Sequence, residues 1–153
     1  MEIDTAATSA FFFDLGGTLL RVKDDEIWKD QAGQVELLPA VEGRLKSLQG
    51  KPVFVVTNQS GIEKGLLTPQ DVADFIAQIN IKCESVVVDY WACPYVTSRY
   101  RKPNPAMLIG LADKHFVDLG RAIMVGDTHT DLECASRAGV GRFIWASEYF
   151  DWR

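Results

Sequence analysis

The chain has 153 residues, of which 47% are hydrophobic and 24% charged, so it can form one globular domain and is neither disordered nor fibrous. Its formal net charge of -5 argues against a general nucleic-acid or anionic-membrane binder, because such proteins need a basic surface. The three cysteines lack paired spacing, which predicts reduced thiols. Neither a signal-peptide pattern nor an apolar run of about 20 residues is present, which predicts a cytoplasmic protein.

In chain order, short apolar runs alternate with segments of helical periodicity. Residues 19–38 form a predicted charged connection. Thr68 and Pro69 are the predicted cap and first turn of a helix. This alternation predicts an α/β fold, a doubly wound three-layer Rossmann-like domain with a mainly parallel sheet of about five strands. The predicted strands are 10–13, 52–56, 85–91, 122–125 and 142–146, and the predicted helices are 39–48, 68–79, 105–115 and 130–138.

Polar residues follow three of the predicted strands, in Asp14-Leu-Gly-Gly-Thr18, Thr57-Asn58 and Asp127-Thr-His-Thr-Asp131. Because parallel strands end on one side of a sheet, these groups can meet in one crevice. Asp14 and Asp127 supply the hard oxygen ligands of a Mg²⁺ site, and Lys102 could supply a compensating positive charge. Each residue alone has an ordinary explanation: Asp131 as a helix cap, Thr57 as a strand-end hydroxyl, Lys102 as a solvated lysine.

Taken together, the set resembles the haloacid dehalogenase (HAD) superfamily of aspartate-nucleophile phosphohydrolases. The strings Thr-Asn-Gln-Ser-Gly-Ile and Arg-Lys-Pro-x-Pro are similar to the branch that includes histidinol-phosphate and heptose-bisphosphate phosphatases. The four segments that carry the resemblance are Phe11 to Thr18, Val56 to Ile62, Arg101 to Pro105, and Val125 to Asp131.

The resemblance implies that Asp14 attacks phosphorus to form an aspartyl-phosphate. It implies Mg²⁺ held by Asp14, Asp127 and the backbone carbonyl of Gly16, with Asp131 orienting the ligands or Lys102. Thr57, Asn58 and the amides of Gly17 and Thr18 would bind the phosphoryl group, while Lys102 offsets its charge. The implied substrate is a small phosphorylated metabolite, with no nucleic acid or membrane partner, and a homo-oligomer is left open.

The sequence departs from the family at Gly16, where hydrolytic members usually carry a second aspartate that acts as general acid and base. Three explanations stay open. Asp24, Asp25, Glu26, His129 or water replaces the acid; or the substrate has a good leaving group; or the pocket binds phosphate and Mg²⁺ without appreciable turnover.

Two short gaps distinguish the chain from family members that carry a cap domain. The gap after the first motif has about 20 residues and that before Arg101 about ten, too few for an independently packed domain. Residues 1–153 are therefore predicted to form a single capless domain. Cys93 lacks companion cysteine or histidine ligands, which argues against zinc. Lys64, Arg99 and Arg101 are candidates for contacting a second anionic group of the substrate.

Overall fold

A computed structural model describes residues 1–153, and its principal feature is a five-stranded parallel sheet. The strands are β1 (Phe11–Phe13), β2 (Val22–Lys23), β3 (Glu26–Ile27), β4 (Val53–Asn58), β5 (Val87–Cys93), β6 (Ile123–Gly126) and β7 (Arg142–Trp145). The helices are α1 (Val41–Lys46), α2 (Pro69–Lys82), α3 (Ala106–His115), α4 (His129–Ala138) and α5 (Ala146–Tyr149), with a 3₁₀ turn at Leu119–Arg121.

The sheet has the strand order β5-β4-β1-β6-β7, which places β1 at its centre. Phe12 pairs with Phe54 on one side and Met124 on the other, so β1 lies between β4 and β6 with all three strands running in the same direction. The chain fills one half of the sheet with β4 and β5 and then crosses over to build the other half. The order therefore reverses beside β1, where open α/β sheets form a crevice for ligands.

Helices cover both faces of this sheet because side chains alternate along its strands. Phe11 and Phe13 join the larger core beneath α1, α2 and α5, whereas Phe12 joins a second core beneath α3 and α4. All three aromatic side chains are completely buried. The predicted three-layer α/β architecture is confirmed. None of the helices combines the length and apolar character needed to cross a membrane.

Three ends of helices and strands differ from those that the sequence predicts. Helix α1 begins at Val41 rather than Pro39, after Ala40 with a left-handed φ of 67°. Strand β4 continues through Thr57 and Asn58, because β5 pairs with both polar residues. Strand β5 begins only at Val87, since Glu84 and Ser85 form a turn in which φ is 59° for each residue.

Two segments differ more substantially. Residues 19–38 contain the small antiparallel hairpin β2–β3, which the charged sequence did not predict. The aromatic residues near the C-terminus, which the sequence predicts to cover the edge of the sheet, instead cover a face, because Tyr149 and Phe150 pack on Phe13 of the central strand with ring centroids 5.6 and 6.2 Å away.

Candidate active site

Asp14 stands at the carboxyl end of the central strand, directly after the buried Phe13. Its backbone N–H donates to the carbonyl of Val125 on β6, so the neighbouring strand fixes the residue at the bottom of the crevice. The chain then turns sharply, with the N–H groups of Leu19 and Leu20 both donating to the carbonyl of Leu15. Only 8% of Asp14 is exposed, and that fraction faces a cleft.

Lys102 reaches this carboxylate from the loop before α3. Its Nζ donates to Asp14 Oδ1 at 2.7 Å, to Asp131 Oδ1 at 2.7 Å and to the carbonyl oxygen of Val56 at 2.9 Å. Burial by itself would lower the pKa of the Lys102 ammonium, but the two carboxylates outweigh burial and raise that pKa. The ammonium group is therefore charged at neutral pH and has all three of its hydrogens bonded.

Asn58, at the end of β4, holds the main chain of Lys102 in place. Its Nδ2 donates to the Lys102 carbonyl at 3.1 Å, and its Oδ1 accepts from the Lys102 N–H at 2.9 Å. This pair of bonds favours a positioning role for Asn58 over the phosphate contact that the sequence predicted. Next to it, Gln59 Nε2 donates to Thr57 Oγ1 at 2.9 Å, which orients the hydroxyl of Thr57.

Asp131 lies in the first turn of α4 and is part of a capping box. Its Oδ2 accepts from the N–H groups of Asp127 and Thr128, at 3.2 Å each, and from Thr128 Oγ1 at 3.0 Å. With Oδ1 bound to Lys102, both carboxylate oxygens of Asp131 are occupied. The residue thus ties the loop that carries Asp127 to the lysine.

Three carboxylates meet in the crevice, because oxygens of Asp14, Asp127 and Asp131 all lie within 4.8 Å of one another. Thr18 Oγ1 lies between two of them, 3.3 Å from Asp14 Oδ2 and 3.2 Å from Asp127 Oδ1. Burial raises the pKa of the Asp14 carboxyl and Asp127 adds to that rise, while Lys102 opposes it. An all-oxygen set with excess negative charge fits a hard divalent cation such as Mg²⁺.

The turn after Asp14 brings Gly17 against the fourth motif. Its φ is 80°, and a methyl group added to it would overlap Asp127 Oδ2. The N–H groups of Gly17 and Thr18 donate to the carbonyls of Leu20 and Leu15. Both amides are thus engaged within the turn, contrary to the expectation that they are available to phosphate, and Thr18 instead faces the carboxylates through its hydroxyl.

A cleft of about 560 Å³ opens above these groups. Among the predicted site residues, it is lined by Asp14, Gly16, Thr57, Asn58, Lys102, Asp127 and Asp131. It is also lined by Val22, Asp25 and Ile27 of the hairpin, by Arg101 and by Thr130. The sequence contained no signal for Val22 and Ile27, since two apolar residues five positions apart in a charged segment match neither helical nor strand periodicity.

Other residues singled out in the sequence lie elsewhere. The ring of His129 packs edge-on against Trp145 at 5.3 Å between centroids, and Glu26 faces the loop at Gly61, where an added methyl group would lie 3.1 Å from Glu26 Oε1. Cys93 is buried with its thiol 3.6 Å from the Tyr95 carbonyl oxygen. Arg99 packs on the ring of Tyr100.

Comparison with known proteins places the chain in a family. Residues 99–146 match the Hydrolase-like (HAD-hydrolase-like) family model. The chain is 33% identical over 149 residues to a D-glycero-beta-D-manno-heptose-1,7-bisphosphate 7-phosphatase of Mesorhizobium japonicum, which covers 87% of this chain and 67% of the relative. An enzyme of the same name from Rhodopseudomonas palustris is 29% identical over 130 residues, covering 74% and 72% of the two chains.

A solved structure has the same fold. The D,D-heptose 1,7-bisphosphate phosphatase from B. bronchiseptica, complexed with magnesium and phosphate, superposes with a TM-score of 0.76 at 24% identity, over 87% of this chain and 78% of the other. Together with the relative from Mesorhizobium japonicum, these matches show that the chain belongs to the HAD-like hydrolases and resembles their heptose-bisphosphate phosphatases.

Proposed function

We propose that the chain is a Mg²⁺-dependent phosphatase that hydrolyses a phosphomonoester through an aspartyl-phosphate on Asp14. The observation that carries this proposal is the environment of Asp14. Its carboxylate is nearly buried, bonded to Lys102 and Thr18, and open on one side to the cleft. A carboxylate fixed in this way is positioned to attack a phosphorus atom bound in the cleft.

Three groups would hold the metal: the carboxylates of Asp14 and Asp127 and the backbone carbonyl of Gly16. Bound Mg²⁺ would supply positive charge to the phosphoryl oxygens and to the Asp14 carboxylate. Asp131 would keep Asp127 in place through the hydrogen bond that it accepts from the Asp127 N–H. Burial and, to a smaller extent, the neighbouring Asp127 carboxylate raise the pKa of Asp14, and a cation bound between the two carboxylates would offset both effects.

Lys102 and Thr57 would act on the substrate's phosphoryl group. The Lys102 ammonium stays charged between two carboxylates, so it can offset negative charge that develops during the transfer. Thr57, oriented by Gln59, would donate its hydroxyl hydrogen to a phosphoryl oxygen. Asn58 would serve by fixing the main chain of Lys102.

The substrate class that we favour is a phosphorylated sugar, with D-glycero-D-manno-heptose 1,7-bisphosphate as the first compound to test. Relatives named for that substrate support this choice. Arg101 also supports it, because it lines the cleft beside Lys102 with a buried Nη1 that has no hydrogen-bond partner. A second anionic group on the substrate could pair with the guanidinium charge of Arg101 at the wall of the cleft.

We further infer that residues 1–153 act as one capless unit. The connection after Asp14 holds only the hairpin β2–β3, and residues 94–105 contain neither helix nor strand. The cytoplasmic location stays a prediction, and a homo-oligomer stays open.

One alternative has a specific observation in its favour. Gly16 offers no side chain where HAD phosphatases usually carry their acid and base, so the pocket could bind Mg²⁺ and phosphate for regulation without appreciable turnover. Measured hydrolysis separates this alternative from the enzyme.

The test is phosphate release from heptose 1,7-bisphosphate, sugar monophosphates and an aryl phosphate, with and without Mg²⁺. We expect release by the wild type that depends on Mg²⁺ and is lost in Asp14→Asn. Asp113→Asn, which removes an exposed carboxylate from α3, should behave as the wild type. Rates for the wild type no higher than those of Asp14→Asn on every substrate would reject the phosphatase and favour the binding role.

A further inference from the structure

The hairpin β2–β3 lies directly over Gly16. A methyl group added to Gly16 would lie 2.8 Å from Val22 Cγ1 and 3.1 Å from Ile27 Cδ1. Val22 and Ile27 are paired across the hairpin, so their side chains share one face. The space in which a side chain at position 16 would begin is therefore filled by two apolar groups.

The turn of the same hairpin consists of two aspartates. Asp24 and Asp25 connect Lys23 to Glu26 and have left-handed φ values of 53° and 65°, as a two-residue type I′ turn requires. Both residues are exposed, but only Asp25 lines the cleft with Asp14, Lys102 and Asp127. The hairpin thus fills the space beside Gly16 with apolar side chains and places Asp25 at the cleft.

We propose that Asp25 is the general acid and base of the reaction, delivered by the hairpin in place of a side chain at position 16. This proposal rests on the phosphatase proposed above and adds the identity of its proton donor. Among the residues considered as replacements, Asp24, Glu26 and His129 do not line the cleft, whereas Asp25 does.

The two steps balance as follows. An oxygen of the Asp14 carboxylate bonds to phosphorus while the bond from phosphorus to the leaving oxygen breaks, and the Asp25 carboxylic acid gives its proton to that oxygen, releasing an alcohol. The Asp25 carboxylate then takes a proton from a water molecule, whose oxygen bonds to phosphorus. The bond between phosphorus and Asp14 breaks, inorganic phosphate leaves, and Asp25 is again protonated.

The hairpin offers a matched pair of variants, Asp25→Asn and Asp24→Asn. Each removes one carboxylate from the same turn at nearly constant shape, and asparagine tolerates the left-handed conformation, so both variants should fold. Thermal unfolding midpoints equal to the wild type would verify this. The substrates are sugar phosphates, whose alkoxide leaving groups need a proton, and aryl phosphates, whose phenolate leaving groups need little help.

We expect Asp25→Asn to lower kcat/KM for sugar phosphates by about 10²- to 10⁴-fold, with a much smaller loss on aryl phosphates. Asp24→Asn should match the wild type on both. Wild-type rates for Asp25→Asn on sugar phosphates would overturn the proposal, and so would equal losses on both substrate types or equal losses in the two variants. In each of these cases the Asp14 phosphatase itself would stand, whereas a wild type inactive on both substrates would reject the phosphatase and the Asp25 role together.

Gly16→Asp provides an independent test. Because Val22 occupies the space that the new side chain needs, we expect this change alone to bring no gain in kcat/KM and to lower the unfolding midpoint. An increase in kcat/KM of about 10²-fold or more on sugar phosphates would overturn the Asp25 proposal, because it would show that the wild-type site lacks an acid.

Discussion

Gly17 illustrates how a single residue can serve both the backbone and the site. Its φ of 80° lies in the left-handed region, and a methyl group added to it would overlap Asp127 Oδ2. Gly33 has nearly the same conformation, with a φ of 82°, but no atom would touch an added methyl group there. Alanine substitutions at the two positions therefore distinguish the cost of backbone strain from the cost of steric contact with the site.

We predict that Gly33→Ala costs about 1–2 kcal/mol of unfolding free energy and leaves phosphate release unchanged, because only the conformational penalty applies. Gly17→Ala should cost at least as much and also remove most activity, since the methyl group displaces the Asp127 carboxylate. Urea unfolding and phosphate-release rates measure the two effects. Full activity in Gly17→Ala would show that the position of Asp127 does not matter to the reaction.

Lys102 and Lys46 form ion pairs in opposite environments. Lys102 is 3% exposed between Asp14 and Asp131, while the side chain of Lys46 is 37% exposed beside Glu42, one turn earlier in α1. Removing a buried partner leaves uncompensated charge in the interior, whereas water replaces an exposed one.

Accordingly, Lys102→Met should lower the unfolding free energy by about 3–5 kcal/mol, and Lys46→Met by about 0.5 kcal/mol or less. Urea unfolding at pH 7 compares the two. Similar small losses in both variants would mean that Asp14 and Asp131 are better compensated by other groups than the hydrogen bonds of Lys102 suggest.

At the scale of elements, α2 and α4 begin with the same kind of capping box, but the two boxes have different roles. Thr68 and Asp71 start α2, and Thr128 and Asp131 start α4, with both reciprocal bonds present in each case. In α4 the same Asp131 also accepts from Lys102, so the cap is part of the site.

Thr68→Ala and Thr128→Ala should each lower the unfolding free energy by about 1 kcal/mol, the usual loss for such a cap. Only Thr128→Ala should also reduce kcat for phosphate release, because Thr128 Oγ1 holds Asp131 Oδ2 at 3.0 Å. If the two variants prove equally active, Asp131 keeps its position without this hydroxyl.

These elements also show what could be predicted from sequence. The cap at Thr68 and the apolar run 52–56 carry strong local signals, and the structure confirms a helix and a strand there. The hairpin β2–β3 was missed because each of its strands has only two residues and its turn has Asp25 at the second position, where glycine is the usual signal. Its position over Gly16 depends on tertiary packing, which no local pattern encodes.

The site itself was more accessible to prediction than the hairpin. Asp14 and Asp127 each follow a strand and Thr57 lies near the end of another, so a parallel sheet must bring them to one edge, and they line one cleft. The bonds from Asn58 to the main chain of Lys102 join residues 44 positions apart, and their detail depends on the path of the intervening loop.

At the scale of the whole molecule, the cysteines report on the two cores. Cys83 belongs to the core beneath α1 and α2 and Cys134 to the one beneath α3 and α4, and both are completely buried. Burial raises the pKa of each thiol to about 11 from an ordinary 9.0. Because the thiolate is the reactive form, both groups should be inert in the folded protein.

We therefore predict that neither Cys83 nor Cys134 reacts with a maleimide at pH 8 without denaturant, and that both react in concentrated urea. Folded thiols hold their protons where unfolded ones release them, so this contribution to stability is complete below pH 9.0 and is lost as the pH rises toward about 11. Rapid labelling of one cysteine alone would show that its face of the sheet opens separately.

The central claim, that Asp14 carries the phosphoryl group, is tested most directly by trapping the intermediate. Borohydride added during turnover reduces an aspartyl-phosphate to homoserine, which peptide mass spectrometry locates in the chain. We expect homoserine at position 14 only when substrate and Mg²⁺ are both present, and none in Asp14→Asn. Phosphate release with no homoserine at position 14, or with homoserine at Asp127 or Asp131, would contradict the account.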